Sequence, residues 1–306
     1  EIINDTCIYG VGAVYLNDSL GNTDPDAYNT VHWDGYSWEV KRIRYYGSCS
    51  AVEYPPIKAI WAFSENNIAI TNGGSVAWFD GDKLNLDCEV NPLLNGAINK
   101  IWGISSNDLY IVGNNGTIVH YNGQNWQKVE SGTDIDLRDI YGTPDGKTIW
   151  ACGWSNNTGQ TIVLEIENQK VNTIWDSKNS KYPYSGLINS LWTFGDEFIF
   201  GGNSLFRHSI KDKNDYGVIF VPTPFGEAQF QPGSFIWKIR GDAKNNLFLC
   251  GDNGMVWHYN GKSWHKFNEL FNETFDRRLF SIAAKGNIVV TVGWLNTQAW
   301  IAVGKR

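Results

Sequence analysis

The sequence predicts an all-β fold of seven four-stranded antiparallel blades, a β-propeller, with six blades as the alternative. Three observations predict it. A unit of about 40 residues recurs from end to end, a period typical of propeller blades. Turn residues fall at fixed places inside each unit. Aromatic side chains, including 15 Trp, fall mostly at repeat positions. A single four-stranded meander cannot bury both of its faces, so copies must stack.

The clearest copy runs from Ile101 to Val129, IWGISSNDLYIVGNNGTIVHYNGQNWQKV. It reads as four short strands: IWGIS, LYIVG, TIVHY and NWQKV. The polar SND and NNG turns separate the first three. Asn122-Gly123 turns the chain into the fourth, and the pair predicts a type I′ hairpin, which needs positive φ at both central residues. Other copies start at Ile60, Ile140, Leu191, Ile236 and Leu279. Their first-strand aromatics are Trp61, Trp102, Tyr141, Trp192, Trp237 and Phe280. The spacings of 41, 39, 51, 45 and 43 residues place insertions in the longer units. One more copy lies at the N-terminus, where NDTCIYGVG from Asn4 aligns with NDLYIVG from Asn107. That alignment places the first-strand aromatic just before Glu1. The first copy is therefore expected to lack its inner strand and the last copy to lack its outer one. The chain begins with Glu, and the missing strand is expected in a piece that precedes it. The repeats together predict one domain over residues 1–306.

The repeat unit resembles that of secreted or lipoprotein bacterial β-propellers, roughly W-G-x-S-x-x-D-x-Y-x-V-G-x-x-G-x-I-x-H-Y-x-G-x-x-W. Residues 102–126 match it closely and the other copies in part. The resemblance implies a propeller and an extracytoplasmic location: secreted, periplasmic or anchored at the cell surface. A more distant similarity is to the Asp-box propellers of sialidases, whose hairpin reads S-x-D-x-G-x-x-W. HYNGQNW and HYNGKSW keep its Gly and Trp but lack the Ser and Asp, so sialidase activity is not implied.

Composition narrows the functions. A net charge of −7 argues against a nucleic-acid partner, which wants a basic stripe. No apolar run reaches the ~18 residues of a membrane helix, so no membrane span is expected. A monomer is expected. The five cysteines are an odd number and form no disulfide framework. Cys152 and Cys250 share the second-strand position of Val112 and read as small buried hydrophobes. Cys7 lies on the equivalent strand of the first copy. Cys49 and Cys88 lie near the outer ends of neighbouring blades, where a disulfide is open to them. Sequons at Asn4, Asn17, Asn115, Asn156 and Asn272 follow from abundant Asn and Thr at turns.

Candidate chemistry has plain structural readings beside it. His32, His120, His258 and, in a weaker copy, His208 share one third-strand position. Spread over the blades, they cannot converge within ~2.1 Å of one zinc ion. The reading is an imidazole hydrogen-bonded to a neighbouring strand, with His265 facing solvent. Trp38, Trp126 and Trp264 are expected to pack between blades. Asp18, Asp24 and Asp26, with Asn17 and Asn22, offer hard oxygens at short spacing, but no D-x-D-x-D-G pattern appears. A solvated acidic turn is the reading, with no metal and no cofactor. Catalytic motifs such as G-x-S-x-G, H-E-x-x-H and the P-loop are absent, and no catalytic residue is assigned.

Loop asymmetry points to a binding face. Turns between strands one and two, and three and four, are short. The opposite set is long: residues 12–30, 44–57, 153–160, 176–187, 221–234 and 268–278. Variable loops on a rigid scaffold are where binding residues concentrate. The expectation is a non-enzymatic binding or scaffold module, with a glycan or protein partner at the channel mouth on that face. The expected wall is Tyr46, Tyr54, Trp154, Asn156, Tyr184, Phe225, Arg277, Trp294 and Asn296. Trp154 and Trp294 follow the second-strand Gly, where other copies place Asn114 and Asp252. The alternative is a glycan-active hydrolase or lyase, whose acid pair would come from Glu53, Asp134, Asp136, Glu227 and Asp276. A third reading is an assembly factor docking through a basic patch at Arg277-Arg278 or at Lys41-Arg42-Ile43-Arg44.

Overall fold

The computed structural model describes residues 1–306 except 18, 25–27, 46–48, 50–51, 180–185, 213, 224–225, 230–231, 272–276, 297 and 306. It is a seven-bladed β-propeller. Every sheet is antiparallel, and each follows chain order. The helical content among the described residues is one 3₁₀ turn, Asn91–Leu93. Residue contacts group the chain into two units, Glu1–Leu137 and Arg138–Arg306.

The first unit holds three blades. Blade 1 comprises Ile2–Asn4, Cys7–Val14, Tyr28–Trp33 and Trp38–Lys41; blade 2 comprises Ala59–Ser64, Asn67–Thr71, Val76–Phe79 and Leu84–Asp87. Blade 3 is Ile98–Ser105, Asp108–Gly113, Ile118–Tyr121 and Trp126–Lys128. The expected absence of an inner strand from the first copy is corrected here. Ile2–Asn4 pairs with Cys7–Val14, and Glu1 exchanges two hydrogen bonds with Tyr9. Tyr9 pairs with His32 as Tyr110 pairs with His120, so Gly12 matches Gly113. The sequence alignment of this copy is thereby two residues out of register.

The second unit opens with blade 4, which comprises Leu137–Gly142, Thr148–Trp154, Thr161–Glu167 and Lys170–Asp176. Blade 5 comprises Ile188–Phe194, Glu197–Gly202, Leu205–Ser209 and Tyr216–Val218; blade 6 comprises Ile236–Ala243, Asn246–Gly251, Val256–Tyr259 and Trp264–Lys266. A hairpin, Phe220–Thr223 with Gly226–Gln229, is inserted between them. Among the described residues blade 7 has three strands, Arg277–Lys285, Ile288–Leu295 and Gln298–Lys305.

The cores lie between consecutive blades within each unit. Trp126 packs with Ile70's neighbours on blade 2, Ala69 and Val76, and donates its indole N–H to Asp87 at 2.8 Å. Second strands such as LYIVG and FIFGG are buried throughout, because both blade faces are covered. They therefore read as continuous apolar runs rather than alternating ones.

The turn chemistry differs from the type I′ expectation. Asn122 keeps negative φ and only Gly123 is positive, at 89°. The Asn122 side chain accepts the backbone N–H groups of Gln124 and Asn125 at 3.0 and 2.8 Å. Asp34, Asp80 and Asn260 cap their hairpins the same way. Asn or Asp is thus selected as a side-chain acceptor, and Gly for its backbone. Positive φ at both central residues occurs instead at Asn168-Gln169 in blade 4.

The repeated histidine has the structural role read from the sequence. His120 stacks on Tyr110 at 4.2 Å and bonds Asp108 at 2.7 Å. His258 stacks on Phe248 and bonds Asn246 at 3.0 Å; His32 stacks on Tyr9 beside the Cys7 sulfur.

Cys49 and Cys88 form a disulfide with Cα atoms 5.7 Å apart, a separation ordinary for the bond. Cys7, Cys152 and Cys250 are free and buried. Burial pushes the Cys250 thiol up to about 12.

Candidate functional site

One backbone device positions the candidate site. A glycine stands at or near the end of the second strand: Gly113, Gly202, Gly251 or Gly293. A Cβ at these positions would lie 2.3, 2.1, 2.0 or 1.9 Å from the carbonyl oxygen of Ala97, Leu187, Phe235 or Arg278. Only glycine tolerates so close an approach of two strands. In three of these blades the residue after the glycine donates its N–H to that same carbonyl: Asn114, Asn203 and Asp252. Two register positions therefore lie side by side. One follows the glycine and is filled by Asn114, Trp154, Asn203, Asp252 and Trp294. The other lies near the start of the first strand and is filled by Asn99, Arg138, Asn189, Trp237 and Phe280.

This register corrects the sequence alignment. Trp102 pairs with Tyr110, and the residue that pairs with the matching Phe248 is Arg240, not Trp237. Ala283, not Phe280, holds that place in blade 7, opposite Val290. Trp237 and Phe280 are displaced by three residues onto the site. Aromatic spacing alone could not separate the two slots, since both lie on one strand.

In the second unit these positions form a chain of contacts. The Arg138 guanidinium lies 4.1 Å over the Trp154 ring and donates to the Asn156 side chain at 3.0 Å. The Trp154 indole donates to Asn189 at 3.3 Å. Asn189 in turn donates to the Trp237 carbonyl at 2.8 Å. The Trp237 indole donates to Asp252 at 2.7 Å. Asp252 pairs with Arg278 at 2.7 Å. The Arg278 guanidinium lies 5.5–5.9 Å from the rings of Trp237, Phe280 and Trp294. Trp294 is 37% exposed.

Behind this surface is a buried ion cluster. Asp139 has no exposed area, and its carboxylate takes both terminal nitrogens of Arg240, at 2.7 and 3.0 Å. It also accepts from Lys238 at 3.2 Å, Ser190 at 2.5 Å and the Leu191 N–H at 3.2 Å. Burial lowers the Lys238 pKa against the opposing pull of Asp139. Lys238 and Arg240 thus share Asp139, and Arg278 pairs with Asp252, in a chain whose net charge is −7.

The residues singled out from sequence fall in different places. Trp154 and Asn156 are brought together through Arg138, and Trp294 joins through Arg278. Strand alternation sends Arg277 to the other side of its sheet, where it donates to the Leu270 carbonyl at 3.0 Å and lies over Trp300. Asn296 follows the strand that carries Trp294, Ile288–Leu295, with φ 47°. Tyr54 belongs to the first unit, where it lies 5.8 Å from the guanidinium of Arg42, which is also stacked on Tyr28 and paired with Asp24. Tyr46, Tyr184 and Phe225 lie outside the described residues. Arg138, Asn189, Trp237, Asp252, Arg278 and Phe280 were not among the expected wall; the signal for Arg138 and Asn189 was their position two before the first-strand Ile140 and Leu191.

Of the acids considered for hydrolysis, Glu53 pairs with Arg44 and Asp136 accepts the Asn115 N–H. Asp18, Asp26 and Asp276 lie outside the described residues, as does the Glu227 side chain. Among the described residues, no three His, Cys, Asp or Glu side chains group to hold a metal. No helix is long and apolar enough to cross a membrane.

No family model matches the chain, and no curated protein matches it. Solved structures do. The structure of YCF48 bound to D1 peptide aligns with TM-score 0.65 and 12% identity, over 99% of this chain and 96% of that one. The C-terminal WD40 domain of Sif2 aligns with TM-score 0.57 and 13% identity, over 96% and 81%. An extracellular domain assigned to a one-component system of B. thetaiotaomicron aligns with TM-score 0.62 and 13% identity, over 95% of this chain and 38% of that one. At these identities the likeness is one of fold.

Proposed function

We propose that this protein is a non-enzymatic, extracytoplasmic binding module that takes an acidic segment of a protein partner on the Arg–Trp surface of its second unit. The observation that carries the reading is the replacement of small amides, Asn99 and Asn114 in blade 3, by Arg138 with Trp154, and by Trp237, Phe280 and Trp294 with Arg278. Arg and Trp are the residues that dominate the energy of protein interfaces. The guanidinium groups of Arg138 and Arg278, each beside Trp rings on this surface, suit a carboxylate-bearing ligand. The guanidinium on Trp154 occupies a ring face that a sugar would need, which favours protein over glycan. Similarity to a propeller solved with a peptide supports a peptide-like ligand. The Cys49–Cys88 disulfide and the similarity to extracellular domains support an oxidising, extracytoplasmic location.

The test is a display library of acidic and neutral peptides, with a glycan array alongside. Wild-type protein is expected to select acidic peptides. Trp294→Ala and Arg278→Ala should weaken that binding by roughly 10-fold or more while melting changes little, since both side chains reach solvent. Trp154→Ala should cost about 2 kcal/mol of stability in addition, because its ring is half-buried. Stability lost at both tryptophans with affinity kept would remove the site from this surface. Binding only to glycans would move the reading to the aromatic face of Trp294, and turnover of an arrayed glycan would move it to a hydrolase.

A further inference from the structure

Six Asn-Gly pairs occur in this chain, at Asn72, Asn95, Asn115, Asn122, Asn253 and Asn260. Two of them, Asn122-Gly123 and Asn260-Gly261, lie in the hairpin between the third and fourth strands of blades 3 and 6. Asp34-Gly35 and Asp80-Gly81 fill the same hairpin in blades 1 and 2. The four share one geometry. Each glycine has φ between 89° and 97°. Each Asn or Asp side-chain oxygen accepts two backbone N–H groups: those of Gln124 and Asn125 at 3.0 and 2.8 Å for Asn122, and those of Lys262 and Ser263 at 2.9 and 2.8 Å for Asn260. An acid and an amide therefore fit this position alike.

The two acids reveal what those N–H groups do. Asp34 and Asp80 are exposed, yet their carboxyls are held below the usual carboxylate range, chiefly by the N–H groups of Ser37 and Tyr36 and of Lys83 and Asp82. The hairpin stabilises negative charge on the side-chain oxygen. On asparagine that oxygen takes up the same charge when the next backbone nitrogen adds to the side-chain carbonyl carbon, and two N–H donors at roughly 2.7–3.1 Å are what an oxyanion needs. The attacking nitrogen is available too. The N–H groups of Gly123 and Gly261 have no acceptor among the described residues, and Asn122 and Asn260 are exposed. The other four pairs are locked. Gly73 and Gly116 are buried and donate their N–H to Thr71 Oγ1 at 2.9 Å and to the Ile135 carbonyl at 3.0 Å. The Asn95 amide donates to the Asn115 carbonyl at 3.2 Å, while its oxygen accepts from Lys128. Asn253 is buried and donates to Ser234 at 3.0 Å.

We propose that Asn122-Gly123 and Asn260-Gly261 are self-modification sites, at which the folded hairpin converts asparagine to an aspartyl or isoaspartyl residue through a succinimide. The glycine nitrogen bonds to the asparagine Cγ, the Cγ–Nδ2 bond breaks, and ammonia leaves carrying the proton from the glycine nitrogen. Water then opens the ring. Cleavage of the new Cγ–N bond leaves an ordinary aspartate, which the hairpin holds as it holds Asp34 and Asp80. Cleavage of the original main-chain bond leaves an isoaspartate, whose main chain is one carbon longer between Tyr121 and Trp126, or between Tyr259 and Trp264, the residues that pair across the turn. Either product adds a negative charge. Neither hairpin contains a residue of the Arg–Trp surface, so the test stands apart from that reading.

The experiment incubates the 306-residue protein in mildly alkaline buffer, folded and in denaturant. Peptide mapping by mass spectrometry follows the amide-to-acid mass gain at each pair, and an isoaspartate-specific methyltransferase counts the isoaspartyl product. In denaturant the six pairs should react at similar rates, because only the Asn-Gly sequence acts. Folding should slow Asn72, Asn95, Asn115 and Asn253 by about 10-fold, the equivalent of one hydrogen bond that the reaction must break. Asn122 and Asn260 should stay reactive and account for most of the conversion. Asn122→Asp should melt as the unsubstituted protein does. Folded protein in which Asn122 and Asn260 convert no faster than the other four, or in which folding slows all six alike, would overturn the proposal. A lower melting temperature for Asn122→Asp would also count against it, since the acid would then not be accommodated as Asp34 and Asp80 are.

Discussion

The two units carry the same blade design and differ in what fills it. At the strand-start and post-glycine positions, blade 3 of the first unit places Asn99 and Asn114, whose side chains bond one another at 2.7 Å. Asn99 also donates to the Leu137 carbonyl at 2.9 Å. The second unit keeps amides in blade 5, Asn189 and Asn203, but in blades 4, 6 and 7 it places Arg138, Trp154, Trp237, Asp252, Phe280 and Trp294 at those positions, linked by ion pairs and ring contacts. The reinforcement differs too. The first unit is closed by a disulfide between its outer segments, and the second holds a buried carboxylate between two cations. A repeat scaffold fixes positions, and the side chains that blade packing leaves free decide the chemistry.

Breaking the buried cluster should have the largest effect. Asp139→Ala strands Arg240 and Lys238 without their shared counter-charge. A loss of about 3–5 kcal/mol is expected in denaturant unfolding, as for one partner removed from a buried pair. Lys238→Met should behave differently, leaving a one-to-one Asp139–Arg240 pair and changing stability by less than about 1 kcal/mol. Burial depresses the Lys238 pKa. The unfolded state therefore binds more protons between the depressed value and the ordinary lysine value, and stability rises with pH across that window. Below it the penalty is fully present. Lys238→Met should flatten this pH dependence; an unchanged slope would assign it to another group.

The disulfide comes next. It closes a separation of 39 residues, for which chain entropy gives about 4 kcal/mol. Cys49→Ser, or reduction of the wild-type protein, should lower the melting temperature by that equivalent. Native protein should meanwhile show slow reaction of Cys152 and Cys250 with a thiol reagent, since both are buried and their thiols are raised. A melting temperature indifferent to reduction would show that the first unit does not depend on the bridge.

The smallest effect sharpens the comparison by being the same in both units. Asn122→Ala in blade 3 and Asn260→Ala in blade 6 each remove a side chain that accepts two backbone N–H groups. Each should cost about 1 kcal/mol. Unequal losses would show that the hairpin cap is worth more against one blade neighbour than another.

The seven blades were legible because they rest on local signals, although the inner strand Ile2–Asn4 of the first copy was not. Alternating turns and apolar runs repeat in Ile101–Val129, and a stacked sheet has few other ways to bury them. The structural role of His120 was legible for the same reason: a residue recurring at one position on separate blades cannot converge on one ion. Trp154 and Trp294 stood out because each departs from Asn114 and Asp252 at a position the glycine identifies. What the sequence could not decide was register and direction. A three-residue slip moves Trp237 from a bracing position to the Arg–Trp surface, and only pairing of Arg240 with Phe248 reveals it. Alternation along one strand sends Arg277 inward to Leu270 and Arg278 out to Trp294, though they are neighbours in the chain. The Asp139–Arg240 pair spans 101 residues. It arises from tertiary packing, because a charge in the core is tolerated only where the fold brings its partner.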